Sequence, residues 1–397
     1  MKVLVQLNGL ELGGTPINAI EFADRARDHG IESLLVGPTY TLPSGPSALD
    51  VAAQRDVPIR AVDQPRSTFA AARQLSRTAA EFGADVVHAY GTWTTRHVYW
   101  GPYRFGKLPM VMTVYEMDVH WTVVNRPHLI VGTGYLVDDL AARRGPVDLI
   151  SPPVDLVRDD PATVDVTQFR KEFELDDDLL NLVIVTRLDG PDSRPVKNIG
   201  VEQAIQAIER LDDPNLRFVV VGGGTEEARL RVMADETNTR LGRRAVVLTG
   251  PLADPRPAYN SADIMLGMGG SAARSLAFGK PLVVVGEYGW FRAFSPETSA
   301  AIFRTSFWSE DELDDAPGLL IEELRPLLAS PELRAQRGRE ARAFAEANFG
   351  LERMTERLVE VYRAAAEEPR VARCRDWIAD TRVEAKRLWH DRVQQRG

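Results

Sequence analysis

Short apolar runs recur along this chain. Each is followed by a turn rich in glycine or polar residues, and then by a stretch whose apolar positions return every three or four residues. Runs without polar alternation suit strands covered on both faces, and their alternation with helices predicts parallel sheets. The runs Lys2–Leu7, Glu32–Val36, Asp85–Ala89, Pro109–Val114, Leu129–Gly132 and Val147–Ile150 predict the strands of a first sheet. Leu180–Thr186, Arg217–Val221, Ala245–Leu248, Ile264–Leu266 and Leu282–Val285 predict those of a second. Helices are expected over Pro16–Asp28, Ser67–Phe82, Tyr135–Arg144, Gly200–Leu211, Glu226–Asn238 and Ala272–Phe278. Three more follow over Asp311–Leu328, Pro331–Asn348 and Leu351–Glu367, and then a polar helix from Arg370 to about Val393 whose alternating charges suit a solvated face.

Between the halves, Ser151 to Asp178 is rich in proline and aspartate and breaks the rhythm, as a linker does. Strand, glycines and helix then restart. The chain therefore reads as α/β, with two Rossmann-like domains facing across a cleft, and 397 residues exceed what one core usually serves. Composition removes several classes. No apolar run nears the roughly 18 residues of a membrane span, and Val3 to Leu7 is too short for a signal peptide, so no transmembrane segment and a cytoplasmic location are expected. The single cysteine, Cys374, excludes internal disulfides and thiolate metal clusters. A net charge of −9 argues against nucleic acid as a partner.

The candidate chemistry lies in the turns. Gly13-Gly14 precedes Thr15, a plausible N-cap, and Pro16, which suits the first helical position. In the stretch from Gly267 to Pro281, Ser271 is expected to cap a helix that Gly279 ends. Helix starts of this kind attract anions. After two strands of the first half come His88, Tyr90 and Trp93, then Tyr115, Glu116, Asp118, His120 and Trp121, at the ends where open α/β sheets bind ligands. No carboxylate cluster with metal-ligand spacing is visible.

The ordered set Gly13-Gly14, Val154-Asp155, Arg187 with Lys197-Asn198, Val219 to Gly224, Thr249-Gly250-Pro251, Tyr259 to Asp263 and Gly279-Lys-Pro281 resembles the retaining nucleotide-sugar glycosyltransferases of the GT-B fold, family four type, over about residues 1–365. The resemblance implies an acceptor domain over residues 1–155, a linker over 156–178 and a donor domain over 179–365. It also implies a C-terminal helix over 366–397 returning to the first domain. Arg187 and Lys197 would be the catalytic pair, stabilising a departing nucleoside diphosphate without metal or cofactor. Gly13 and Gly14 would hold the donor diphosphate, Gly250 and Leu252 would border the base, and Gly269, Gly270, Ser271 and Ala272 would lie beside the donor. Leu266 and Arg274 stand where the family carries two glutamates, and Tyr115 where it carries a histidine; Glu287 is the nearest acid able to compensate. Arg274 is accordingly expected to meet an additional acidic group of a ligand, or else Glu287. Trp93, Tyr115, Glu116, Asp118 and His120 are the acceptor-side candidates. The implied function is transfer of a sugar from a nucleoside diphosphate to a small-molecule or glycan acceptor, with specialised metabolism as a candidate setting. The alternatives are a non-catalytic GT-B protein that binds a nucleotide or a partner enzyme, and a nucleotide-sugar epimerase.

Overall fold

The computed structural model describes the whole chain except residues 43–46, 64–66, 144, 176–177, 191–195, 369–377, 379, 388 and 390–397. The chain divides into two compact units, one formed by Met1–Pro153 with Leu351–Gly397, the other by Val154–Gly350. The helix Leu351–Glu367, placed with the second domain by its position in the sequence, belongs to the first. Its apolar stripe of Leu351, Met354, Leu358, Val359, Val361 and Tyr362 is buried in the core of that unit, and this stripe is what holds it there.

The first unit is built on seven parallel strands: β1 (Lys2–Gln6), β2 (Glu32–Pro38), β3 (Ile59–Val62), β4 (Val86–Tyr90), β5 (Met110–Val114), β6 (His128–Val131) and β7 (Val147–Leu149). Their order is β3-β2-β1-β4-β5-β6-β7. Successive side chains serve opposite layers. Val3 and Val5 join the core shared with the helices Gly14–Ala26 and Leu351–Glu367, whereas Leu4 joins the core shared with Thr68–Phe82. Of these strands only β3 was not expected from the sequence: it is nowhere fully buried, and its sequence offers no unbroken apolar run.

The second unit carries β8 (Leu180–Val185), β9 (Leu216–Val221), β10 (Val246–Gly250), β11 (Ile264–Gly267), β12 (Leu282–Val285) and β13 (Phe291–Ala293), in the order β10-β9-β8-β11-β12-β13. All pairs are parallel except β12 with β13, an antiparallel edge that the sequence reading did not contain. Here too the strands are covered on both sides: Leu182 and Ile184 enter one core, Val183 the other. The stretch expected to be a linker is part of this unit, with Phe169 and Leu175 buried and a helix over Thr167–Glu172. The polar helix expected from Arg370 falls largely outside the described residues, although 380–387 are helical. Among the described residues no helix is long and apolar enough to cross a membrane.

His88, on β4, is fully buried, with Nδ1 2.7 Å from the Tyr362 hydroxyl and Nε2 2.8 Å from Thr113 Oγ1. It therefore ties the returning helix Leu351–Glu367 to the sheet. Burial lowers its pKa to about 3, so the folded state holds it neutral while the unfolded chain takes up a proton near pH 6.5. Stability of the first unit should accordingly fall as pH drops from about 6.5 towards 3, by an amount on the order of a few kcal/mol. Denaturant titrations across that range check this, and His88→Gln should flatten the slope.

Candidate functional site

In each sheet the strand order reverses once, between β1 and β4 in the first unit and between β8 and β11 in the second. Loops leaving the carboxyl ends of such neighbours diverge to opposite faces and open a crevice, the usual ligand position in this architecture. Gly13 and Gly14 follow β1 and Trp93 follows β4, while Arg187 and Lys197 follow β8 and Gly269 to Arg274 follow β11.

In the second unit β8 leads into the loop bearing Arg187 and Lys197, and β11 leads into Met268-Gly269 and the helix Gly270–Ala277. The helix cap is Gly269, not Ser271. Its φ of +55° is a conformation that side chains resist, and nothing lies within 4 Å of where a Cβ would stand at Gly269 or Gly270. Ser271 lies inside the first turn, where its hydroxyl accepts from Met268 N–H (3.2 Å) and donates to Met268 O (3.1 Å). Ala272 is fully buried, which leaves only its backbone N–H as a possible ligand contact. Gly250 ends β10, two strands from β8 and hence roughly 10 Å away. Leu252 packs partly buried against the core around Tyr259.

Lys197 directly precedes the helix Asn198–Leu211. Its side chain is half-buried, and among the described residues Nζ makes no hydrogen bond or ion pair. Burial, and then Arg187, lower its pKa to about 8, against the pull of Glu287 and Asp189. Arg187 is exposed and pairs with Asp189 at 3.3 Å. Glu287, just past β12, is buried; it accepts from Val196 N–H (3.0 Å) and from Trp308 Nε1 (2.5 Å). Trp308 is a component that sequence reasoning missed, since no motif or periodicity marks it.

One expectation is corrected here. The acid found against Arg274 is not Glu287 but the buried Asp159, whose Oδ2 lies 2.9 Å from Arg274 Nε. Leu266 lies inside β11 with its side chain fully buried in the core.

In the first unit, the helix Gly14–Ala26 opens at Gly13, one residue before Gly14 and two before the expected cap Thr15. No atom lies within 4 Å of a Cβ position at Gly14, and only Pro16 Cδ, at 3.8 Å, near Gly13. The loops after β4 and β5 meet: Glu116 accepts from Thr92 N–H at 3.3 Å, and the rings of Trp93 and His120 lie 5.7 Å apart, with Trp121 5.3 Å beyond. His120 Nδ1 is 2.8 Å from Thr122 Oγ1. Trp93 is 60% exposed and Asp118 is exposed, so both face solvent. Tyr115 does not join them. Its ring packs against the core, its hydroxyl is buried without a hydrogen-bond partner among the described residues, and burial raises its pKa well above the usual value. Among the described residues no group of three or more His, Cys, Asp or Glu side chains could hold a metal ion.

Comparison with curated protein sequences finds no match. A glycosyltransferase structure from Rickettsia africae ESF-5 superposes with a TM-score of 0.73 at 14% identity, covering 93% of this chain and 99% of that one. The Anabaena HepE protein in complex with UDP gives 0.69 at 16% identity over 92% and 100%. UDP-GlcNAc 2-epimerase from Neisseria meningitidis, bound to UDP-GlcNAc, gives 0.62 at 16% identity over 92% and 100%. This chain thus has the fold of these proteins, GT-B with two Rossmann-like domains. Residues 183–301, which span the second unit from β8 past β13, match the family model described as glycosyl transferases group 1.

Proposed function

We propose that this chain is a retaining glycosyltransferase that binds a nucleoside diphosphate sugar on its second unit and transfers the sugar to a small-molecule or glycan acceptor. The observation that carries the reading is Lys197: a half-buried ammonium with no hydrogen-bonding or ion-pair partner among the described residues, beside Arg187 at the point where the strand order reverses. Desolvating a cation without a partner is unfavourable in the empty protein, and an anion arriving there relieves that cost. A departing nucleoside diphosphate gains negative charge in the transition state, so Lys197, Arg187 and the N–H groups at Gly270 to Ala272 stabilise it most at that moment. Side chains and backbone dipoles supply this charge stabilisation, which makes the reaction metal-independent and without a resident cofactor.

Gly250 and Leu252 border the base, and on the first unit the N–H groups at Gly13 and Gly14 are the candidate anion donors. Retention of configuration follows from the family resemblance. On the first unit Trp93 and His120 form an aromatic face with Glu116 and Asp118 beside it, suited to a sugar or aromatic acceptor. The match over residues 183–301 and the UDP complex of the HepE protein support the nucleotide-sugar class, with UDP the first candidate. A cytoplasmic location belongs to the same reading.

Titration calorimetry with UDP, GDP and ADP tests the proposal, with binding of at least one expected. Because the anion favours charged Lys197, its pKa rises on binding, and complex formation takes up a proton at and above about pH 8. Affinity should therefore fall as pH rises through about 8, with heats that depend on the ionisation enthalpy of the buffer. Absence of binding by all three nucleotides would count against the reading and favour a non-catalytic protein.

A further inference from the structure

The buried carboxylate of Glu287 touches the Lys197 loop from the strand side. The approach begins at Gly200, in the first turn of the helix Asn198–Leu211: a Cβ there would stand 2.4 Å from Val285 Cγ1, so only glycine lets the helix start rest against the end of β12. Two residues past Val285, Glu287 donates its own N–H to Ser309 O at 2.9 Å and turns its side chain inward. One carboxylate oxygen accepts from Val196 N–H at 3.0 Å, immediately before Lys197; the other accepts from Trp308 Nε1 at 2.5 Å. With only 2% of its surface exposed, Glu287 is engaged by the protein and is withdrawn from solvent.

We propose that Glu287 is a positioning residue for Lys197: clamped between Trp308 Nε1 and Val196 N–H, it fixes the backbone that presents the lysine and keeps that lysine cationic, without itself touching the ligand. This rests on the anion-binding reading of Lys197, and it moves Glu287 from the donor-binding set to the framework behind it. Two features support the division of labour. A charge-assisted bond to a backbone N–H next to the functional residue restricts that residue more than a bond to its flexible side chain would. Among the described residues the charged groups that act on Lys197 are Arg187, Glu287 and Asp189, and of the two acids Glu287 has the stronger pull.

The test compares UDP, GDP and ADP binding in the wild type, Glu287→Gln and Trp308→Phe across pH 6 to 10. Glu287→Gln keeps the shape but loses the charge and one acceptor, so affinity at pH 7 should fall roughly tenfold, the scale of one hydrogen bond to a charged group. The pH at which affinity declines should also move below the wild-type value, because Lys197 loses its stabilising neighbour. Trp308→Phe removes a clamp but leaves the charge, so affinity should fall while the pH midpoint stays in place. A purely structural role would lower affinity in both variants and shift neither midpoint, which would overturn the proposal, as would wild-type affinity and an unchanged midpoint in Glu287→Gln. If Glu287→Gln does not fold, the proposal stands or falls on Trp308→Phe, for which wild-type affinity overturns it. If the wild type binds none of the three nucleotides, it is the reading of Lys197 that fails.

Discussion

Lys197→Ala is expected to lower the transfer rate by roughly 10²-fold or more while leaving the fold intact, the scale of losing one preorganised contact to developing charge. The two halves of this result have separate causes. Among the described residues Nζ makes no hydrogen bond or ion pair, and burial disfavours its charged form, so truncation removes a strained cation and breaks no structural bond. Melting temperature should therefore hold or rise slightly. The rate falls because the contact Lys197 makes exists only with the ligand, and is strongest when the leaving group carries its full charge. Steady-state kinetics with a nucleoside diphosphate sugar, beside a thermal melt of the empty protein, read both at once. An unchanged rate would mean that Lys197 is an ordinary solvated lysine and that the charge stabilisation lies elsewhere.

The strands that carry the fold were legible because burial on both faces leaves an unbroken apolar run, as in Val219-Val-Val221 and Leu282-Val-Val-Val285. β3 and β13 were not, since edge strands are half-covered and short, and their sequences carry polar residues at alternate places. Glycine spacing located both helix starts to within two residues, yet misassigned the caps. A hydroxyl next to the start, as in Thr15 or Ser271, reads as a cap in sequence, whereas in the structure a glycine takes the position and the Ser271 hydroxyl turns back onto Met268. The Arg187 and Lys197 neighbourhood was legible as a basic loop after a strand, but its environment was not. Which acid stands behind Lys197, and that Trp308 braces it, depends on contacts made 91 and 21 residues from Glu287 along the chain, and no local pattern encodes those. Tyr115 illustrates the same limit: its place after a strand suggested an exposed face, while the ring turns into the core.

Arg274→Glu is expected to destabilise the empty protein by about 3–5 kcal/mol, the range for breaking a buried ion pair by removing one partner. The partner is Asp159, whose carboxylate is almost wholly buried beside the guanidinium at 2.9 Å. Burial raises the Asp159 pKa, and Arg274 opposes that rise, so the arginine is what makes the buried charge tolerable. The pair belongs to a wider attachment: Arg342 donates to Leu156 O (3.1 Å), Asp159 O (3.3 Å) and Ala277 O, which fastens the segment after Val154 to the helix Gly270–Ala277. A glutamate at 274 puts two carboxylates where one was already costly. For a unit of this size the loss corresponds to a fall in melting temperature of roughly 10 °C. The pH dependence distinguishes this cause from general damage. In the variant the folded state holds the Asp159 proton to higher pH than the unfolded chain does, so the unfolded state binds fewer protons as pH rises through the carboxylate range, and stability falls. The deficit should therefore be small near pH 4 and full at pH 7. Asp159→Asn combined with Arg274→Gln removes both charges and should recover most of the loss. A variant as stable as the wild type at pH 7 would show that the pair contributes nothing, and that Arg274 is available to a ligand after all.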